Sequence, residues 1–176
     1  DKRENGAYYS PSKDIVVLPM KAQFNIGDSP EETYRGGMEY YSTMLHEMTH
    51  STMTPERLNR EMGGRFGDPK YAKEELVAEL TAAMISHSMG FDSRITDNSA
   101  AYLDSWIGVL KQEPKFIVSV MADVNKASDL ILDHVDKQRL ALGEQPYLAK
   151  NDPLTSMSAD EEKSFKNAAI VKTRSG

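Results

Sequence analysis

Apolar residues recur with two different periods along this chain, and these periods predict a short β region followed by helices. Near the N-terminus, Ala7–Tyr9 and Ile15–Leu18 are two β-prone runs on either side of the turn-rich segment Ser10–Asp14. Such an arrangement is typical of a β-hairpin, and Pro19 would end its second strand at a sheet edge. The segment Lys21–Asp28 is expected to be a connector.

Beyond the hairpin the apolar residues follow the helical period of about 3.6 residues. Ser29-Pro30-Glu31-Glu32 combines an N-cap, a proline at the first helical position and early acids, which predicts a helix start. Gly36-Gly37 is expected to interrupt this helix, and a second helix is expected from Met38 to Met53. Further helices are predicted over Thr54–Met62, Asp68–Met89, Ser99–Lys111 and Pro114–Leu142, with a connector at Gly63–Gly67.

The order of a hairpin followed by four or five helices predicts an α+β fold in which a small sheet flanks a helical core. At this length a single domain is expected, covering residues 1–145. Residues 146–176 turn polar and irregular, which predicts a C-terminal tail that is partly docked or disordered.

The run His46-Glu47-Met48-Thr49-His50 contains candidate metal ligands and a candidate general base. On a helix the two histidines, four residues apart, share one face and can bind one cation, here zinc. Glu47 projects toward the same side, where it can act as general base on metal-bound water. The alternative is two surface histidines on an amphipathic helix.

Catalytic zinc sites use a third protein ligand. The extended metzincin pattern requires Gly three residues and His six residues after the second histidine, but those positions hold Met53 and Glu56. The other common solution is a glutamate from the next long helix, where Glu75 and Glu79 share one face. We expect Glu75 to bind the metal and Glu79 to orient a ligand histidine, with the reverse assignment as the alternative. A solvated acidic face over Glu74–Glu79 is the third interpretation.

Several other residues are weaker candidates. Tyr71, Arg65 and the Tyr40-Tyr41 pair are candidate donors to the substrate or to a developing oxyanion. His87 lies near a helix end, where a cation complements the helix dipole. His134 lies on the apolar stripe of the last helix and is expected to be a partly buried structural residue rather than a ligand.

Composition excludes some kinds of site and disfavours some classes of function. With no cysteine, the chain can form neither disulfides nor thiolate metal sites, and the net charge of −6 disfavours a dedicated nucleic-acid-binding segment. No apolar stretch reaches membrane-spanning length, and Asp1–Asn5 has no signal-peptide core, so no membrane association is expected. Because the chain does not begin with Met, a processed product or an excised domain is expected.

From Tyr8 to about Asp133, the chain resembles the zincin-like metallopeptidase domain of ArdC-type antirestriction proteins and related polyvalent proteins of plasmids and phages. The matching stretches are Tyr8-Tyr9-Ser10-Pro11-Ser12-Lys13-Asp14, Leu45-His46-Glu47-Met48-Thr49-His50, Leu58-Asn59-Arg60, Gly64-Arg65-Phe66-Gly67, the run from Tyr71 to Leu80, the run from Ala101 to Trp106, and Val109-Leu110-Lys111.

This resemblance implies a zincin fold with one zinc ion on His46, His50 and a glutamate of the 74–79 segment, and Glu47 as the catalytic acid and base. It also implies the cytoplasm of a bacterium that a plasmid or phage enters, and a role against host defence. Full-length ArdC-type proteins carry an N-terminal domain that binds single-stranded DNA. Nothing similar is present here, so DNA binding is not expected of this segment. The segment Gln23–Gly36 is longer than the segment that usually leads into the motif helix in this family.

The function expected from these features is a zinc metallopeptidase that acts on a protein or peptide, in antirestriction or in protein processing. An extended substrate could pair with the strand Ile15–Leu18 if that strand is exposed at the sheet edge. The alternative is a catalytically silent zinc-binding module that binds a host or phage protein. A nuclease is disfavoured by the charge and by the lack of a second carboxylate-rich metal centre. The sequence does not predict the oligomeric state.

Overall fold

A computed structural model of the chain describes residues 6–61, 63, 68–90, 106–108 and 111–152. Strands β1 (Tyr8–Ser10) and β2 (Ile15–Val17) pair antiparallel, with Tyr9 opposite Val16. They form a two-stranded sheet within the described part of the chain, and the predicted hairpin is confirmed. A short 3-10 helix, Lys21–Phe24, lies in the segment that was predicted to be a connector.

Helix α1 (Pro30–Ser51) begins where the capping sequence predicted. Ser29 Oγ accepts the backbone N–H of Glu32, and the Glu32 carboxylate accepts the backbone N–H of Ser29, so both orphan donors are satisfied. The predicted interruption at Gly36-Gly37 is wrong, because α1 continues through both residues. A Cβ at position 36 would lie 2.4 Å from the Phe24 carbonyl oxygen, so glycine allows the 3-10 helix to approach α1 closely.

The helix predicted over Thr54–Met62 is also wrong. The described residues of this segment form consecutive turns, in which Arg60 donates its backbone N–H to the Met53 carbonyl at 2.9 Å. Asn59 has a φ of 48°, a left-handed conformation that ends helical continuation. The turns bring Arg57 to the hairpin, where its guanidinium donates two hydrogen bonds of 2.8 Å to Asp14.

Helices α2 (Pro69–Ser88) and α3 (Phe116–Ala141) lie within the predicted ranges. Asp68 caps α2 by accepting the backbone N–H of Lys70, and Gly90 follows with a φ of 79°. Residues 106–108 of the helix predicted over Ser99–Lys111 are helical, and most of that segment lies outside the described residues. A buried core joins α2 to the first half of α3 and to Trp106. Its buried members are Ala72, Leu76, Val77, Trp106, Val120 and Val124.

The chain divides into two compact units, Asp1–Ile131 and Leu132–Gly176. In the second unit the buried Asp136 accepts the backbone N–H groups of Tyr147 and Leu148, which folds the segment after α3 back onto that helix. Residues 153–176 lie outside the described part, so the tail over 146–176 stays a prediction. Among the described residues, no helix combines the length and the apolar character that a bilayer crossing requires.

Candidate metal centre

The two histidines of the motif lie in the last turns of α1, and α1 packs against α2, which carries the glutamates. Residues four apart on a helix share a face, so His46 and His50 both point at the second turn of α2. Glu75 lies there, with its side chain 12% exposed. Helix packing thus brings the two sequence segments together.

Three ligand-type groups converge between the helices. The Nε2 atoms of His46 and His50 lie 3.0 Å apart. Glu75 places one carboxylate oxygen 3.6 Å from His46 Nε2 and the other 3.5 Å from His50 Nε2. Ligand atoms bound to zinc at about 2.0–2.1 Å in tetrahedral geometry lie about 3.3 Å apart, so this donor set fits one such ion. Within the described residues, these three form the group that could hold a metal.

The other ring nitrogen of each histidine faces a second carboxylate. Glu79 Oε1 lies 3.3 Å from His46 Nδ1, and Glu74 Oε1 lies 3.3 Å from His50 Nδ1. Carboxylates in this position orient metal-binding histidines and fix their tautomer. Glu79 lies beside the ring nitrogen of His46 that does not face Glu75, and its predicted role of orienting this histidine stays a prediction. Glu74 holds the equivalent place behind His50, a role the sequence did not predict.

Arg60 donates hydrogen bonds to both carboxylate oxygens of Glu74. Its Nε donates to Glu74 Oε2 at 2.9 Å and its Nη2 to Glu74 Oε1 at 2.7 Å. The same guanidinium donates to the Thr49 carbonyl at 3.0 Å and to Thr52 Oγ1 at 2.9 Å, which also satisfies acceptors at the end of α1. Arg60 matched a family motif but had no predicted role, because nothing local in the sequence relates a loop arginine to a glutamate fourteen positions later.

Glu74 did carry a sequence signal. It precedes Val77 and Ala78 by three and four residues, and both are fully buried. A carboxylate on a buried helical face requires a partner, so the position itself indicates a buried ionic contact. Burial raises the pKa of Glu74, but hydrogen bonds and charge from Arg60 and His50 outweigh burial and lower it.

Negative charge dominates the space between the helices. Burial lowers the pKa of His46, but hydrogen bonds and charge from Glu75 and Glu79 outweigh this and raise it to about 10. For Glu75, burial raises the pKa, and the two histidines together with a hydrogen bond from Tyr71 lower it overall. Surroundings that stabilise an imidazolium also stabilise a divalent cation, which displaces the proton when it binds.

Glu47 is buried on α1 between the two histidines. Burial raises its pKa, the nearby histidines lower it, and Glu75 raises it again; the net direction is upward. A hydrogen bond from the backbone of Tyr9 also reaches this carboxylate. Strand β1 therefore lies directly against the predicted general base, a contact that the sequence did not predict.

The remaining candidates lie in varied places. Tyr71 is beside Glu75, to which it hydrogen-bonds, and Arg65 lies outside the described residues. Tyr41 accepts a hydrogen bond from Lys21 at 3.2 Å, and Tyr40 packs edge-on against Phe24.

Neither of the two other histidines belongs to the metal group. His87 is exposed near the end of α2. His134 is exposed as well, so its predicted partial burial is wrong: the buried face of α3 there runs through Ile131 and Asp136.

Comparison with known proteins gives a family and several relatives. A family described as zincin-like metallopeptidase matches residues 1–123. Two proteins of Escherichia coli named DNA primase TraC are 38% and 36% identical over 132 residues, 75% of this chain. An uncharacterised protein of Sinorhizobium fredii is 33% identical over 131 residues, 73% of this chain and 39% of its own length.

Solved structures of the antirestriction protein ArdC from plasmid R388 are similar at 36% identity. The Mn(II)-bound form has a TM-score of 0.59 over 74% of this chain, and the metal-free form has 0.57 over 81%. This chain spans 44% and 45% of those ArdC chains, and 11% and 8% of the two primases. The similarity therefore concerns one part of larger proteins.

Proposed function

This chain belongs to the family of zincin-like metallopeptidases, and we propose that it is a zinc-dependent peptidase with Glu47 as general base. The observation that carries the proposal is the convergence of His46 Nε2, His50 Nε2 and the Glu75 carboxylate within 4.8 Å of one another. A buried glutamate between the two histidines supplies the acid–base group that a purely structural metal site does not need.

We assign His46, His50 and Glu75 as the metal ligands and Glu79 as the group that orients His46. Two imidazoles and one carboxylate suit zinc, although the ArdC relative binds Mn(II) in one of its structures. Once bound, the ion would act as a Lewis acid that polarises the scissile carbonyl and acidifies water. The family membership and the His-His-Glu group support a divalent metal at this place.

Glu47 would accept a proton from the attacking water and pass it to the leaving nitrogen of the peptide. A general base works best when its pKa lies near the working pH, and burial moves the pKa of Glu47 upward in that direction. The acceptor must also be held in place. The hydrogen bond from the Tyr9 backbone and the helical position between His46 and His50 provide this.

An extended peptide is the substrate form that the sheet favours. The backbone of Tyr9 reaches Glu47, so β1 leads a bound strand past the general base more directly than β2, the strand suggested by the sequence. Tyr71, beside Glu75, is the described side chain best placed to donate to a developing oxyanion. A complex with a peptide analogue that makes no backbone pairs with the sheet would exclude this mode of binding.

The partner proposed for this segment is a protein or peptide, in the cytoplasm of a bacterium that harbours a plasmid or phage. Similarity to the plasmid-borne ArdC supports a role in antirestriction, with protein processing as the related alternative. The charge of −6 supports a protein substrate over nucleic acid for this segment.

The test is peptide cleavage by the full 176-residue chain loaded with Zn²⁺, read by mass spectrometry on a library of peptides from a bacterial proteome. Glu47→Gln keeps the side-chain shape but cannot accept the proton, so cleavage should fall by about two to four orders of magnitude while zinc remains bound. His46→Ala should lose both zinc and cleavage.

Exposed Glu39, on the same helix, offers a matched control, and Glu39→Gln should leave cleavage and zinc content unchanged. If Glu47→Gln cleaves as fast as the unaltered chain, the peptidase assignment is wrong. If the unaltered chain binds zinc but cleaves no peptide in the library, the silent zinc-binding module becomes the better description.

A further inference from the structure

We propose that Glu74 and Arg60 are positioning residues of the metal site. Together they hold His50 with Nδ1 as a hydrogen-bond donor and Nε2 directed at the shared metal point. The inference rests on the proposed function, because it concerns the same His46, His50 and Glu75 site. Glu74 and Arg60 belong neither to the proposed metal ligands nor to the proposed acid–base group.

The first step is the contact between Glu74 and His50. Glu74 Oε1 lies 3.3 Å from His50 Nδ1, and the two side chains are only 3% and 6% exposed. Little water reaches this contact, so the carboxylate is the acceptor available to the ring. An imidazole that donates through Nδ1 keeps the lone pair of Nε2 for the metal.

The second step is the clamp on Glu74. Arg60 engages both carboxylate oxygens through Nε and Nη2, at 2.9 and 2.7 Å. Such a forked pair fixes the plane of the carboxylate as well as its position, which a lysine cannot do. Because Arg60 engages both oxygens, rotation of the Glu74 carboxylate away from His50 would break hydrogen bonds to the guanidinium.

The third step is the anchoring of Arg60 itself. Its remaining donors bind the Thr49 carbonyl and Thr52 Oγ1, and Thr49 immediately precedes His50 in the chain. The same guanidinium therefore positions the backbone beside His50 and the carboxylate behind its ring. The result is a continuous series of contacts from Arg60 through Glu74 to His50.

The test measures the Zn²⁺ affinity of the metal-free 176-residue chain by competition with a chromophoric chelator. Removal of an outer partner of a ligand histidine typically weakens metal binding by about 10–100-fold, and we expect that loss for Glu74→Gln. Asp123→Asn is the matched control, because it breaks an ion pair of 2.7 Å with Lys73, the neighbour of Glu74 on α2. The control should bind Zn²⁺ like the unaltered chain.

Three further variants separate positioning from folding. Arg60→Lys keeps the charge but loses the fork, and it should retain more Zn²⁺ affinity than Arg60→Ala. The double variant Arg60→Met with Glu74→Leu replaces the buried pair by apolar side chains, which is often neutral for stability. Because both buried charges are removed together, it should lose less stability in denaturant than Arg60→Ala, yet still bind Zn²⁺ at least tenfold more weakly.

The absorption bands of bound Co²⁺ give a further readout, which should shift in Glu74→Gln and not in Asp123→Asn. The inference is overturned if Glu74→Gln or the double variant binds Zn²⁺ within twofold of the control. If the unaltered chain binds no Zn²⁺, the metal site itself fails and this inference fails with it. Loss of peptide cleavage with full Zn²⁺ affinity in Glu74→Gln would also overturn it.

Discussion

His46 and His50 direct the same ring nitrogen at the same point, but the groups behind them differ. His46 Nδ1 faces Glu79, and both side chains are 17% exposed. His50 Nδ1 faces Glu74 at the same distance of 3.3 Å, but in a nearly water-free environment, and Arg60 completes the arrangement. One histidine thus has a partly solvated partner and the other a buried one.

The difference in burial explains the arginine. A carboxylate that touches water is stabilised by solvent, whereas a buried carboxylate needs a counter-charge and further hydrogen bonds. Arg60 supplies both to Glu74. The two histidines thus have carboxylate partners of different burial, and we expect the cost of mutating each partner to increase with its burial.

The largest effect on Zn²⁺ affinity should come from the Glu75 carboxylate, which faces both histidines. Glu75→Gln should weaken Zn²⁺ binding by more than about 100-fold, beyond the range typical of outer residues, because a carboxamide is a poor zinc ligand. Glu79→Gln should cost only about tenfold, since water can replace its contact with His46. Chelator competition measures both. If Glu79→Gln is the more damaging change, the two assignments must be exchanged.

The next effect is on folding and concerns the buried arrangement alone. Arg60→Ala should lower the free energy of unfolding of the metal-free chain by about 3–5 kcal/mol, because the buried Glu74 loses its guanidinium partner and keeps only the contact with His50. Glu79→Gln should change the same quantity far less, since its carboxylate touches solvent. Urea denaturation of both variants tests this, and equal losses would remove the distinction between the two arrangements.

Metal removal should have a smaller effect on the free energy of unfolding than Arg60→Ala. Zinc at one hundred times its Kd should raise the free energy of unfolding by about 2.7 kcal/mol, so chelation lowers stability by that amount.

In the metal-free chain, the Nδ1 proton of His50 should remain visible by NMR, because Glu74 shields it. The proton of His46 should exchange faster with water. Equal exchange rates would contradict the proposed difference.

The smallest expected effect is that of Tyr71→Phe. This change removes one hydrogen bond to Glu75, worth about 1 kcal/mol, and should weaken Zn²⁺ binding by about fivefold. Tyr34→Phe, on an exposed tyrosine of α1, is the control and should have no effect. A larger loss of cleavage than of Zn²⁺ affinity in Tyr71→Phe would support a contact with the reacting carbonyl.

Local signals predicted elements well where the deciding interactions are local. The capping sequences at Ser29 and Asp68 predicted the starts of α1 and α2, because a helix N-terminus is satisfied by side chains within three residues. The prediction of a helix break at Gly36-Gly37 was wrong, because glycine at position 36 serves the close approach of the Phe24 backbone and does not end the helix. The turns after Thr54 were missed because propensity does not report contacts to Asp14 and Glu74.

The sequence by itself determined the chemistry of the candidate site: a His-Glu-x-x-His segment on one helix and a cluster of glutamates on another, with cysteine absent. Only the tertiary structure decided where each of those glutamates lies relative to the two histidines. Glu74, Glu75 and Glu79 differ in which histidine nitrogen they face, and this depends on how α2 packs against α1. Arg60 and the backbone of Tyr9 reach the site from distant positions, and helical periodicity carries no information about such contacts.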